Sequence, residues 1–374
     1  MQNLVEQLMR DRPDDWLSFL QETYKIGVVR DGDLASLKYD QIESPMSVPI
    51  VQQCRGMVVN VADRQILAWP YNKFWNLGEA LADPVDWSTA RCLEKLDGSL
   101  MILYRYRDAW CVASSDHPTA GGRFGNSSTT FRDAFWATWR DLGYRLPTEE
   151  MHVDTMMFEF CAQENCVVVQ HERPRIVLHG ARRMTDGREA AFGWLCWAAK
   201  EIGCEIVRHF PHTSTAACDE AVRALDPVQQ EGFVVVDNWH RRVKIKSPRY
   251  VALHHMKGNL SPRRAVALWQ SGDSGELLSY FPEFAPVVQP ILDRLDEVAA
   301  RSVADYEAHR HLPTRKEFAL AIKDFPHSGV IFKLLGAAPE DRTVDGAKAI
   351  MRAGTLLGLE RLAGVEGGSG DESP

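Results

Sequence analysis

The run LEKLDGSLMILYRY places Lys95 two residues before an Asp97-Gly98 pair, just ahead of a strand-like apolar segment. A lysine amine becomes a nucleophile only where its surroundings disfavour the charged form, because its ordinary pKa is near ~10.4. Neighbouring cations disfavour it. VKIKS at 243–247 supplies two: Lys244 and Lys246 alternate with Val243 and Ile245, so on a strand both project to one face. Glu159 lies between Phe158 and Phe160 and faces opposite to both rings. Glu231 precedes Gly232, a residue that permits close backbone approach. Taken singly, each has an ordinary reading. Lys95 fits a surface lysine before a turn, the paired lysines fit a charged edge strand, and the two glutamates fit a half-exposed strand and a turn.

The elements that must position these residues are strands for most of the chain. Short apolar runs cut by polar turns fall at 56–61, 100–106, 110–114, 156–161, 167–171, 175–181, 232–237 and 243–247. Residues 163–165 and 238–241 read as hairpin turns. Helical spacing falls at 130–142, 189–202 and 215–225, and the N-terminal MQNLVEQLMRDRPDDW reads as an amphipathic helix, not a signal peptide. After Pro248 the strand signal fades, with helical spacing at 283–308, 313–324, 328–335 and 342–363. This predicts an α+β domain on antiparallel sheets over 1–255, a smaller all-helical domain over 256–363, and a disordered tail over 364–374.

Composition sets further bounds. Of 374 residues 45% are hydrophobic, ample for a core, and no apolar run approaches the ~20 residues of a membrane span. The eight cysteines show no CxxC pair or zinc spacing, so reduced thiols in a cytoplasmic protein are expected. A net charge of -8 argues against a whole-surface nucleic-acid binder but leaves room for a local basic groove.

Five further motifs accompany EKLDGSL in the order used by covalent nucleotidyltransferases: CRGMVVN at 54–60, KFWN at 73–76, MFEF at 157–160, EGFVV at 231–235 and VKIKS. The ordered set, with PRYVALHHMK following VKIKS, resembles the ATP-dependent RNA ligase 1 family of T-even bacteriophages over about residues 35–260; RKEFALAIKDF extends the likeness loosely into the helical third. The resemblance implies a nucleotidyltransferase (adenylation) domain whose Lys95 attacks the α-phosphorus of ATP and expels pyrophosphate. AMP then passes to an RNA 5'-phosphate, and the RNA 3'-hydroxyl displaces it. It further implies that Lys244 and Lys246 sit at the α-phosphate, that Arg55 and Lys73 meet the triphosphate, and that Glu159 accepts the ribose hydroxyl. Leu96, Asp97 and Gly98 would flank the nucleotide, and Glu231 would support Mg2+ or Mn2+.

Two departures stand out. Leu96 occupies a position where phage relatives carry an acid, and CVASSDHPTAGGRFG lacks the lysine those relatives carry in the second strand after the nucleophile; Arg123 is the candidate replacement. The expected substrate is RNA with 5'-phosphate and 3'-hydroxyl ends, a nicked tRNA in particular, prepared by an end-healing kinase/phosphatase. A monomer without membrane contact is expected. The helical third, through Arg263–Arg264 and Arg315–Lys316, would bias RNA choice, and Trp239 in a basic turn is a candidate for base stacking. The alternatives are a DNA ligase or mRNA-capping guanylyltransferase, which usually add a β-barrel after the KIK strand, and a nucleotide- or RNA-binding module without catalysis.

Overall fold

The computed structural model describes residues 2–125, 128–165, 167–258, 261–272, 274–280 and 282–365. Alternating apolar and polar residues form β1 (Ile26–Asp31), β2 (Leu34–Tyr39), β3 (Arg55–Asn60) and β4 (Gln65–Ala68), an antiparallel sheet in sequential order. The helix Leu4–Asp11, capped by the Asn3 side chain, and the helix Trp16–Tyr24 bury Val5, Met9, Trp16 and Leu20 against Ile26, Leu37 and Met57 of this sheet.

Two five-stranded sheets follow. Their strands are β5 (Trp75–Asn76), β6 (Arg91–Lys95), β7 (Ser99–Tyr106), β8 (Ala109–Ser114), β9 (Thr155–Cys161), β10 (Arg175–Arg182), β11 (Glu205–Ile206), β12 (His209–Phe210), β13 (Gly232–Val236) and β14 (Arg242–Lys246). One sheet runs β11-β10-β9-β7-β8 and the other β12-β6-β13-β14-β5. Among the described residues only β10–β11 and β5–β14 pair in parallel, so the architecture is α+β on antiparallel sheets. Helices Phe131–Asp141 and Phe192–Ile202 pack Phe135, Trp139, Leu195 and Ala198 on the first sheet, while Cys218 and Val222 of Thr215–Ala224 cover Phe233 and Val243 of the second. Between the sheets Leu93 and Leu96 meet Cys161 and Val177, and Tyr71 and Phe74 meet Met157.

Three local expectations change within residues 163–202. Residues 167–171 form no strand, because the Val168 and Val169 amides donate to Asp97 Oδ2, at 2.7 and 2.8 Å. Gln163–Asn165 is a 3-10 helix rather than a tight hairpin turn; the Asn165 side chain accepts from Ala162 N and donates to Ser99 Oγ and Phe160 O. The helix expected from 189 starts at Phe192, since Glu189 is held by a bridge to Arg182. The turn at 238–241 does join β13 to β14, with Asp237 Oδ1 accepting from the Trp239 and Arg241 amides.

The chain divides into two units, Met1–Ala252 and Leu253–Pro374. In the second, the long helix Ala285–His309 buries Leu292, Leu295, Val298 and Tyr306. The segment expected as one helix over 342–363 is two, Val344–Arg352 and Leu356–Ala363; Gly354 separates them and Thr355 caps the second. Residues 366–374 of the expected disordered tail lie outside the described residues. Among the described residues no helix is long and apolar enough to cross a membrane.

Candidate active site

Lys95 is the last residue of β6, and β7 follows it from Ser99. The central strand β13 places Gly232 opposite Lys95 on one side and Lys246 on the other. Only glycine fits there: an added Cβ would lie 2.1 Å from Ile245 O and 2.9 Å from Lys246 Cα. Glu231, immediately before it, is buried and bridges both lysines, with Oε2 2.5 Å from Lys95 Nζ and Oε1 3.0 Å from Lys246 Nζ. A strand step back, Lys244 is opposite Val234 and lines a cavity of about 490 Å³ between the two sheets. Burial first, then the charges of Arg55, Lys95, Lys73 and Lys246, push the Lys244 ammonium down to about 7.

Arg55, the first residue of β3, enters the same cavity. Its Nη1 is buried and has no hydrogen-bond partner among the described residues. The Phe74 ring separates the cations: Arg55, Lys244 and Arg242 lie 5.0, 5.3 and 5.7 Å from its centroid. Lys73 is not part of the lining; its Nζ donates to Gln41 Oε1 at 3.1 Å and sits 4.8 Å from the Tyr39 ring, both of which are lining residues.

The facing sheet supplies Glu159 on β9 and His179 on β10, 3.6 Å apart. His179 falls in the bulge between Leu178 and Gly180. Tyr71 stacks on its ring and donates to its carbonyl at 2.6 Å. Gly98 and Leu96 line the cavity, and Gly98 must be small because a Cβ would lie 2.5 Å from Phe160 O. Asp97 points elsewhere. Besides binding the Val168 and Val169 amides, it lines a smaller cavity of about 300 Å³ with Glu231, which shares Glu94, Lys95 and Leu96 with the larger one. The structure therefore brings Lys95, Arg55, Glu159, Lys244, Lys246, Leu96 and Gly98 to one cavity and sets Asp97, Lys73 and Glu231 at its margins. Arg123 is not among the lining residues; its backbone bridges Thr130.

Sequence reasoning missed several participants. Glu94, the neighbour of Lys95, is buried and takes a bidentate pair from Arg208 at 2.8 and 2.6 Å. At the far end of the cavity Glu189 is shared by Arg182, at 2.8 Å, and Arg242, at 2.5 Å. Burial alone would raise the Glu189 carboxyl, but Arg242 and Arg182 hold it below its ordinary value. These two arginines also cover aromatic rings, Arg182 over Trp69 at 4.3 Å and Arg242 over Tyr71 at 4.1 Å. Arg242 adjoins a quoted motif, but Arg182 and Glu189 carry no local pattern that would single them out.

Among the described residues no group of three or more His, Cys, Asp or Glu could hold a metal by itself. Magnesium bound through one or two carboxylates and substrate phosphates needs no such cage. Among the described residues the buried Arg55 Nη1 has no hydrogen-bond partner and Lys244 no carboxylate, and a polyphosphate would satisfy both.

The chain resembles a bifunctional polynucleotide kinase/RNA ligase of Autographa californica nuclear polyhedrosis virus, at 24% identity over 72% of this chain and 40% of that protein, so it spans about two fifths of that relative. It resembles the RNA ligase of Rhodothermus phage RM378 at 23% identity, covering 77% and 82% of the two chains. Among solved structures, an archaeal ATP-dependent RNA ligase aligns at 12% identity with a TM-score of 0.44, covering 71% of this chain and 68% of that one. A mutant Naegleria gruberi RNA ligase with ATP and Mn aligns at 15% identity with a TM-score of 0.34, covering 45% and 52%. A model of the RNA ligase family typified by T4 RNA ligase 1 matches residues 53–250, more than half of the chain, and the chain belongs to that family.

Proposed function

We infer that the protein is an ATP-dependent RNA ligase that works through AMP carried on Lys95. One observation carries this reading: a lysine paired with a buried glutamate opens into a cavity lined by two further cations, Lys244 and Arg55, that have no carboxylate of their own among the described residues. That surplus suits a triphosphate, and the cavity volume suits a nucleotide.

In the first step Lys95 Nζ forms a bond to the α-phosphorus as the bond to the departing pyrophosphate breaks. Arg55, Lys244 and Lys246 hold the phosphate oxygens and offset charge as it shifts to the leaving group. Glu231 holds Lys95 in place and is adjacent to its departing proton. Glu231 would hold a divalent metal, Mg2+ or Mn2+, which when bound would supply charge neutralisation at the phosphates. Glu159 lines the same cavity and would accept a ribose hydroxyl. AMP then moves to an RNA 5'-phosphate, and the 3'-hydroxyl of the second RNA end displaces it. A nicked tRNA is the proposed substrate, with end-healing by a kinase/phosphatase upstream, and the helical unit from Leu253 is proposed to bias RNA choice. Trp239, 74% exposed at the β13–β14 turn, is available to stack on a base.

The test is incubation with ATP labelled at the α-phosphate and magnesium, followed by a denaturing gel. The protein should retain label, and Lys95→Ala should retain none. Lys95→Arg should not restore it, because a guanidinium does not deprotonate. Label persisting on Lys95→Ala would remove the assignment.

A further inference from the structure

Lys38 has no role in the mechanism above, yet it lines the same cavity. It lies on β2 opposite Arg55 of β3, where the register slips between Leu37 and Lys38. Such bulges re-aim side chains and recur beside active sites. The skipped residue is Gly56, with φ +82°, packed so close to the loop after β8 that a Cβ would lie 2.9 Å from Ser115 Cα. Two cations directly opposite on neighbouring strands repel. Here Arg55 leans on Phe74, and Lys38 reaches the loop beside Gly56 to pair with Asp116.

That pair lies at the outer edge of the site: the Lys38 side chain is 37% exposed and Asp116 66%, against 20% for Lys95. An exposed ion pair contributes little, so Lys38 can exchange Asp116 for a more highly charged partner at small cost. Across the strand, Arg55 Nη1 is buried and unsatisfied. The bulge, the facing like charges and the orphaned nitrogen converge on one place, and the species that fits them is a chain of phosphates.

We propose that Lys38 binds the outer phosphates of ATP, those that leave as pyrophosphate, and that Asp116 holds its ammonium group when they are absent. The proposal rests on the ligase reading and assigns Lys38 to one step of it. Outer phosphates are present when AMP is loaded on Lys95 and when pyrophosphate reverses that loading. RNA that already carries AMP brings none. Lys38, and not Arg123, thus supplies the charge absent from the strand after the nucleophile.

Three reactions test this in the intact chain: AMP loading from labelled ATP, release of bound AMP as ATP by added pyrophosphate, and joining of RNA supplied already adenylated. In Lys38→Met the KM for ATP should rise about tenfold or more, the scale of a lost hydrogen bond to a charged group, and pyrophosphate should act only at correspondingly higher concentration. Joining of adenylated RNA should change less than about threefold. Lys38→Arg should restore most of the ATP affinity, and Asp116→Asn should lower the KM for ATP. An unchanged KM and unchanged pyrophosphate release in Lys38→Met would overturn the proposal. Equal loss in all three reactions would overturn it too, since that marks a general effect on the fold. No AMP loading by the unsubstituted protein would instead overturn the ligase reading, which keeps the two failures apart.

Discussion

The Glu231 carboxylate reaches Lys95 Nζ at 2.5 Å from a position that is almost wholly buried. Its second oxygen is committed to Lys246. Replacing it by glutamine keeps the shape and removes the charge, leaving two ammonium groups close together without their shared counter-ion. Glu231→Gln should slow AMP loading by about 10²-fold, comparable to loss of a preorganised charge-stabilising group. Single-turnover kinetics with labelled ATP measure this, and a rate within a factor of two or so of the unsubstituted protein would refute the role.

Lys244 makes stability depend on pH in a definite direction. Its folded-state value of about 7 lies below the ordinary lysine value near ~10.4. Between those limits the unfolded chain keeps a proton on this lysine that the folded chain has released, so this residue's contribution to stability rises with pH across the window. Below about pH 7 both states are protonated and the folded form bears the strain of a buried charge. Lys244→Met should lack that rise. Urea midpoints of both proteins, compared near pH 7 and pH 9, give the difference directly, and identical pH slopes would show that Lys244 is not the source.

Gly232 sets the spacing between β13 and β14. A methyl group at this position meets the Ile245 carbonyl, which cannot move without breaking the strand pairing. Gly232→Ala should destabilise the protein by about 2–3 kcal/mol, the upper part of the usual cost of overpacking, and should displace Lys246 relative to Lys95. Chemical denaturation tests the first part. A variant as stable as the parent would mean that the strands tolerate a wider gap.

Much of this site is legible in the sequence because strand alternation is a local property. VKIKS puts two lysines on one face wherever the strand lies, and EGFVV puts a carboxylate before a glycine. Which surfaces meet is not local. Lys38 sits in an unremarkable LASLKY segment and enters the site only through the β2–β3 register slip. His179 looks like any strand residue until the bulge at Gly180 turns it toward Glu159. Asp97, by its place after Lys95, suggests a nucleotide contact, but two loop amides some seventy residues away capture its carboxylate. The same capture removes the strand expected at 167–171. The break at Gly354-Thr355 is hidden because helical spacing of apolar residues continues through it.

The Arg182–Glu189–Arg242 cluster has a consequence for how this protein can be altered. Its members come from one sheet, the connection after it, and the other sheet, and each is buried beside a second charge. Removing one partner strands an uncompensated charge in the interior, which typically costs about 3–5 kcal/mol. A chimera with a relative that joins the two parents between residues 182 and 242 would therefore inherit half of an ion network. Successful crossovers should lie outside that interval, or carry all three residues across from a single parent.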